Sequence, residues 1–359
     1  MQTEELIRDL PKGLIKWYNF HTGSRALYVT GGIEACESLS EALEGCGLIV
    51  DTVDIASMTE SFFAHGEYDY IVMVGALERS KNPEAILRNL RNMLSPTGRL
   101  LLGADNRLGI RYFCGDRDVF TERNFDSIEN YMRINMADRE QLGGRTYTRA
   151  ELTQMLENAG FTQHRFYSVL PTLESPQVLY AEDYLPEEEL EVRIFPQYHY
   201  PDTVFLEEER LYTTLIQNGL FHAMANGYLV ECPLDNNYAN VRHVTVSMER
   251  GRENAMFTVI RRDDKVEKRP VYAEGIKKLD CLMENNLYLH GLNSHWRWRF
   301  MGAFLPARTM PDSQPQLPPL AAEAGTPASP WPGGQLSPLA GKYSRGLARG
   351  AGGQILAPL

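Results

Sequence analysis

The sequence predicts an α/β fold, a doubly wound and mostly parallel sheet, with a smaller α+β domain behind it and a disordered tail. Three observations lead there. Over the first 165 residues, short apolar runs alternate with helix-like segments, the pattern of strands joined by crossover helices. The stretch "ALYVTGGIEA", Ala26 to Ala35, reads as a strand that ends in two glycines and turns into a helix. The composition then shifts twice, near Ser175 and again past His295. Those shifts set the expected organisation: 1–174 as the α/β domain, 175–295 as the α+β domain and 296–359 as the tail.

Taken in order, Leu6 to Tyr18 reads as a leading helix interrupted near Pro11. Ala26–Val29 is the first strand. Ala35, Leu39, Ala42 and Leu43 give the following helix, Glu34–Glu44, one apolar stripe. Leu48–Val53 and Tyr70–Val74 are the next strands, the latter apolar throughout. Pro83 stands just inside the start of "NPEAILRNLRNML", with Asn82 as N-cap, and Ile86, Leu87, Leu90 and Leu94 form its buried side. "SPTG" is expected to turn the chain into the strand "RLLLGA". Residues 105–147, rich in Asn, Arg, Asp and aromatics, follow a strand's C-terminal end, where open α/β sheets bind ligands. Thr148 and Glu151 form a capping box for "RAELTQMLENAG", and Gly160 stops that helix.

Beyond Ser175, "YLPEEELEV" reads as a solvated acidic stretch and residues 204–227 as one or two helices. "GYLVEC", "VRHVTVSM" and "AMFTVI" are strand candidates, the last forming a hairpin with "KVEKRPVY". Glu274–Asn285 is expected to be helical. Residues 301–359 hold 10 of the 20 prolines and few charges, too little apolar periodicity to offset the entropy of ordering.

The composition excludes several function classes. A formal net charge of -11 opposes nucleic acid as a bulk partner. The five cysteines, at 36, 46, 114, 232 and 281, show no C-x-x-C pair, so neither a disulfide framework nor a zinc site is expected. His199, His222, His243, His290 and His295 lie at no metal-ligand spacing. The N-terminus lacks a signal-peptide core and no apolar run is long enough for a membrane span; a cytoplasmic location is expected.

Asp54 ends the second strand about twenty residues after the glycine turn, where an acid accepts hydrogen bonds from a ribose hydroxyl pair. Asp51 is a weaker alternative. "EYDYIVMVGALERSKNPEAILRNLRNMLSPTGRLLLGADNR" then runs acid, buried strand, Gly-x-Leu-Glu, proline-started helix, Leu-x-Pro-x-Gly and buried strand. In this order the chain resembles the class I S-adenosylmethionine-dependent methyltransferases, over roughly residues 14–170. The resemblance implies a Rossmann-like methyltransferase fold and S-adenosyl-L-methionine as cofactor. It would place Gly31, Gly32 and Asp54 on the cofactor, with Gly75, Ala76, Leu77 and Glu78 beside it. "WYNF", "ADNRLGIRYFCGDRD", "FDSIENY" and "YAEDYLP" look like bacterial methyltransferases associated with cell-surface polysaccharide synthesis. That likeness implies a small-molecule or glycan hydroxyl as acceptor and a glycosyltransferase as partner. Asp105, Asn106, Arg107, Tyr112 and Asp116 are the candidate acceptor-binding residues; no catalytic base stands out.

The chain also departs from that family. Tyr28 stands where its first motif has an acid, and Thr30 and Glu34 stand where its outer glycines belong. Fourteen residues separate Asp54 from Asp69, almost no room for the usual helix and third strand. A catalytically inactive methyltransferase-like scaffold is therefore one rival reading, and an NAD-linked oxidoreductase, which shares the strand–glycine–acid logic, is another. The missing N/D-P-P-Y motif disfavours DNA as acceptor. Lys268 with Glu274 or Glu284 suggests the lysine–glutamate pair of a kinase small lobe, but no phosphate loop accompanies it, and a structural or partner-binding module is the expectation there.

Overall fold

The computed structural model describes residues 2–58, 67–135, 141–186, 190–248, 251–281 and 299–300. The tail expected from residue 296, and with it all but two residues of that stretch, lies outside them, as does Glu284. The described residues belong to one compact unit, Met1–Pro306.

The strands are β1 (Arg25–Thr30), β2 (Ile49–Asp54), β3 (Tyr68–Val74), β4 (Leu94–Asp105), β5 (Arg165–Pro171), β6 (Pro176–Ala181), β7 (Gly227–Pro233), β8 (Val241–Ser247), β9 (Met256–Arg261), β10 (Val266–Pro270) and β11 (Arg299–Phe300). Among the described residues they form one sheet, ordered β11-β10-β9-β8-β6-β5-β7-β4-β3-β1-β2. Strands β2, β1, β3 and β4 are mutually parallel. From β4 to β10 every pairing is antiparallel. The α/β class is therefore as expected, and the sheet is mixed.

Both faces of the parallel half are covered. Ala26 and Tyr28 of β1 point into one apolar cluster with Leu39, Ala42 and Leu43 of the helix Leu39–Gly45. Leu27 and Val29 point into another, with Ile86, Leu87 and Leu90 of the helix Pro83–Met93 and Leu152 and Leu156 of the helix Arg149–Asn158. Alternate residues of one strand facing two helical layers is what double winding means physically. The caps are as expected: Asn82 Oδ1 accepts the Ala85 N–H at 3.2 Å. Thr148 and Glu151 exchange both bonds of a capping box.

Several elements differ from expectation. The leading helix runs Gln2–Asp9 and continues as a 3-10 turn, Leu10–Leu14, because Pro11 cannot continue an α-helical ladder. The segment after Gly32 is also a 3-10 turn, Glu34–Ser38, and the α-helix starts only at Leu39. "SPTG" is a bulge inside β4: Leu94 pairs with Tyr68 and Arg99 with Tyr70, which leaves Ser95–Gly98 outside the register. Residues 204–227 hold a 3-10 turn, Glu208–Leu211, and a short helix, Tyr212–Gln217, but no long helix. β5 and β6 were not legible as strands.

The sheet is continuous across the boundary expected at 174/175. Strand β7, expected in the second domain, lies between β4 and β5 and pairs with both. The Lys268–Glu274 suggestion also changes: Glu274 sits on a 3-10 turn and is bound by Arg252 Nε at 2.9 Å. The five cysteines are free thiols. No described helix is long and apolar enough to cross a membrane.

A fragment ending at residue 174 would keep β4 and β5 but lose the strand that joins them. It is expected to show no cooperative urea unfolding, in contrast to the full chain. A sharp transition in that fragment would show β7 to be dispensable.

Candidate active site

The site lies at the C-terminal edge of the parallel strands. The Thr30↔Asp54 register brings the ends of β1 and β2 side by side. Gly31 follows with φ +82°, and a Cβ there would stand 3.0 Å from Ile55 Cγ2 and 3.2 Å from Asp54 Oδ2. A side chain would therefore be strained by the backbone and crowded by the carboxylate. At Gly32 a Cβ would fall 2.0 Å from the Val74 carbonyl oxygen and 2.7 Å from the Ala76 nitrogen. Only glycine lets this turn press against the end of β3. Gly75, with φ +65°, answers from the other side: a Cβ there would meet Ile33 Cγ1 at 2.4 Å.

The two turns thus interlock, and neither the Gly31 nor the Gly32 amide has a hydrogen-bond partner among the described residues. Asp54 Oδ1 accepts the Ala56 N–H at 2.7 Å, while Oδ2 is unbonded among the described residues. Asp51 is committed elsewhere, its Oδ2 accepting from both Arg25 and Tyr68. Unpaired amides beside a free carboxylate oxygen fit a ligand with an anionic end and a hydroxyl pair. The residues present therefore fit S-adenosylmethionine, although no α-helix N-terminus stands directly behind Gly32.

Ala76 and Leu77 are fully buried and belong to the apolar core; they offer a ligand backbone and shape. Glu78 is only 3% exposed. Its Oε1 accepts the Asp105 N–H at 2.8 Å, and its Oε2 is buried without a partner. Desolvation, reinforced by the Asp105 carboxylate, pushes the Glu78 carboxyl up to about 8, so it carries a proton at neutral pH.

Glu78 stands between two concavities. A small one, about 110 Å³, is lined by Glu34, Gly75, Glu78, Asp105, Glu174 and His199 among others. A larger cleft, about 730 Å³, is lined by Glu78, Arg79, Lys81, Tyr131, Arg145 and their neighbours. Of the expected acceptor residues, Asp105 faces the small cavity. Asn106 is fully buried, donating to the Ala223 and Ala225 carbonyls and the Tyr228 hydroxyl. Arg107 binds Glu151 and the carbonyls of Ser127 and Ile128. Tyr112 is buried and accepts from Arg111 Nη2 at 3.0 Å. Asp116 accepts the backbone N–H groups of His199 and Tyr200. These four side chains hold the 105–131 segment in shape.

Sequence reasoning missed four ionisable groups here. Arg111, fully buried, lies 3.2 Å from Asp105 Oδ2 and 4.0 Å from Asp116 Oδ2. Glu174 is raised by desolvation and by Asp105, and its Oε2 is buried without a partner. Glu208 is fully buried, accepts from Tyr212 and Asn226, and is pushed up to about 7 by desolvation. His199 is held below the usual histidine range by desolvation and then by Arg111, so its ring is neutral at pH 7. Among the described residues, no group of three His, Cys, Asp or Glu side chains is arranged to hold a metal.

Residues 29–165 match the family model described as a methyltransferase domain. The matched segment covers both glycine turns, Asp54, Glu78, Asp105 and the capping box. Among solved structures, the chain is similar to an S-adenosylmethionine-dependent methyltransferase from Archaeoglobus fulgidus (14% identity, 63% of this chain and 94% of that one, TM-score 0.36). It is similar to another from Thermotoga maritima (13% identity, 64% and 91%, TM-score 0.34). A Haemonchus contortus N-methyltransferase, solved with phosphomonomethylethanolamine and S-adenosylhomocysteine, shows 14% identity over 59% of this chain, with a TM-score of 0.30. This chain spans 48% of that relative's length. No curated protein matches the sequence.

The raised Glu78 carboxyl has a consequence for stability. The folded protein keeps that proton up to about pH 8, whereas the unfolded chain releases it near 4.5. Unfolding therefore releases a proton within this window, and stability falls as pH rises through it. Glu78→Gln cannot ionise, so its stability relative to the parent should increase from pH 5 to pH 8 in urea titrations. A constant difference would show that Glu78 titrates normally. Glu208 contributes with the same sign in both proteins and drops out of the comparison.

Proposed function

We propose that the chain transfers a methyl group from S-adenosylmethionine to an acceptor hydroxyl on a small molecule or glycan. One observation carries the reading: the interlocked Gly31–Gly32 and Val74–Ala76 turns leave two amides and Asp54 Oδ2 without partners among the described residues at the strand ends, within the segment that matches the methyltransferase-domain model. When bound, the cofactor supplies a methyl group on a sulfonium, ready for attack by a nucleophile. Asp54 would accept hydrogen bonds from its ribose hydroxyls. The amides of Gly31 and Gly32 would meet its polar end, and the backbone of Gly75–Glu78 would wall it.

Methyl transfer to oxygen needs a close, in-line approach and a group that takes the hydroxyl proton. Among the side chains lining the small cavity, the neutral His199 imidazole and the Asp105 carboxylate can take it. Glu78, protonated between the two concavities, can donate a hydrogen bond to an acceptor oxygen. The likeness of "ADNRLGIRYFCGDRD" and "FDSIENY" to polysaccharide-associated methyltransferases supports the glycan acceptor and a glycosyltransferase partner.

Isothermal titration of the full chain with S-adenosylmethionine and S-adenosylhomocysteine, with NAD as control, tests the cofactor. Binding at about micromolar Kd is expected, weakened at least about tenfold, or about 1.4 kcal/mol, by Asp54→Ala. Silence with both ligands from folded protein would refute the enzyme reading, and NAD binding would redirect it to a dehydrogenase.

A further inference from the structure

The larger cleft has a different chemistry from the small acidic cavity. Arg79, Lys81 and Arg145 line it, and Glu78 is the one acidic lining residue among the described residues. Arg79 donates Nη1 to the Gly75 carbonyl at 2.7 Å and sits over the Phe120 ring, which leaves the rest of its guanidinium uncommitted among the described residues. Lys81 makes no ion pair or hydrogen bond among the described residues. Arg145 donates Nη2 to Glu151 at 2.6 Å and lies over the Tyr147 ring, while its Nε is buried without a partner.

The helix Pro83–Met93 begins at the same wall, so the positive end of an eleven-residue helix adds to the three side chains. The protein as a whole carries a net charge of -11. Among the described residues, a lining of three cations and one buried carboxyl therefore runs against the composition. Positive groups with spare donors, gathered from two segments around a concavity, make a site for an oxyanion.

We infer that the cleft binds an oxyanionic group, phosphate or carboxylate, through Arg79, Lys81 and Arg145. Glu78 and Arg79 line both concavities. An acceptor anchored by its anion in the cleft therefore presents an adjoining hydroxyl to the Glu78–Asp105 corner. The anion site stands on its own residues; its assignment to the methyl acceptor rests on the proposed function.

The test titrates the full chain with inorganic pyrophosphate and, separately, with succinate, for the parent, Lys81→Glu and Arg145→Gln. S-adenosylhomocysteine titrations run in parallel. Lys81 is exposed and makes no bond among the described residues, so its substitution leaves the fold intact. The parent should bind one of the two anions saturably, and the anion that binds identifies the chemistry. Lys81→Glu should weaken that binding at least tenfold and Arg145→Gln should weaken it clearly, with S-adenosylhomocysteine affinity unchanged in Lys81→Glu. No saturable anion binding by folded parent protein, or equal affinity in all three proteins, overturns the site. Anion binding without S-adenosylhomocysteine binding keeps the site and overturns the methyl-transfer reading instead.

Discussion

Strand β7 is the constraint on which the rest of the structure depends. It runs antiparallel between β4 and β5, with Arg99–Asp105 facing Pro233–Gly227 and Arg165–Val169 facing Glu231–Gly227. All seven of its residues are buried, so its backbone groups must be paired within the sheet. At its centre Glu231, fully buried, accepts from Tyr18 Oη at 2.5 Å, from Tyr167 Oη at 3.3 Å and from the Ala239 N–H, with Arg99 Nη1 at 3.6 Å. One carboxylate thus ties the N-terminal aromatic segment, β4, β5 and the β7–β8 connection together. Such a charge is tolerated only where several donors surround it.

The same strand positions the site. Gly227 pairs with Asp105, and Asn106 donates to the chain at 223–228 as it leads into β7. The exit from β4, where Glu78 meets Asp105, is therefore held from behind by residues more than a hundred positions later. The accessory strands are part of the scaffold of that sheet edge.

Electrostatics divide that edge into two environments. Inside, Arg111 is the buried guanidinium shared by Asp105 and Asp116, and the carboxyls of Glu78, Glu174 and Glu208 are raised mainly by desolvation. Outside, Arg79, Lys81 and Arg145 line a broader cleft.

Much of the parallel half was legible in the sequence because its signals are local. Buried runs and the Asn82 and Thr148 caps act on their own neighbours. β5 and β6 escaped notice because their burial is set by partners outside the segment. Glu208 lies in the stretch expected to be helical, and nothing in that pattern showed that Tyr212 and Asn226 would enclose it. Arg111, Glu174 and His199 looked like any other polar residues between strands. Periodicity and capping are properties of contiguous chain, so the sequence alone determined the strand-and-glycine framework. The tertiary structure decided which charges are buried together and that β7 completes the sheet, because desolvation and strand pairing depend on residues distant in sequence.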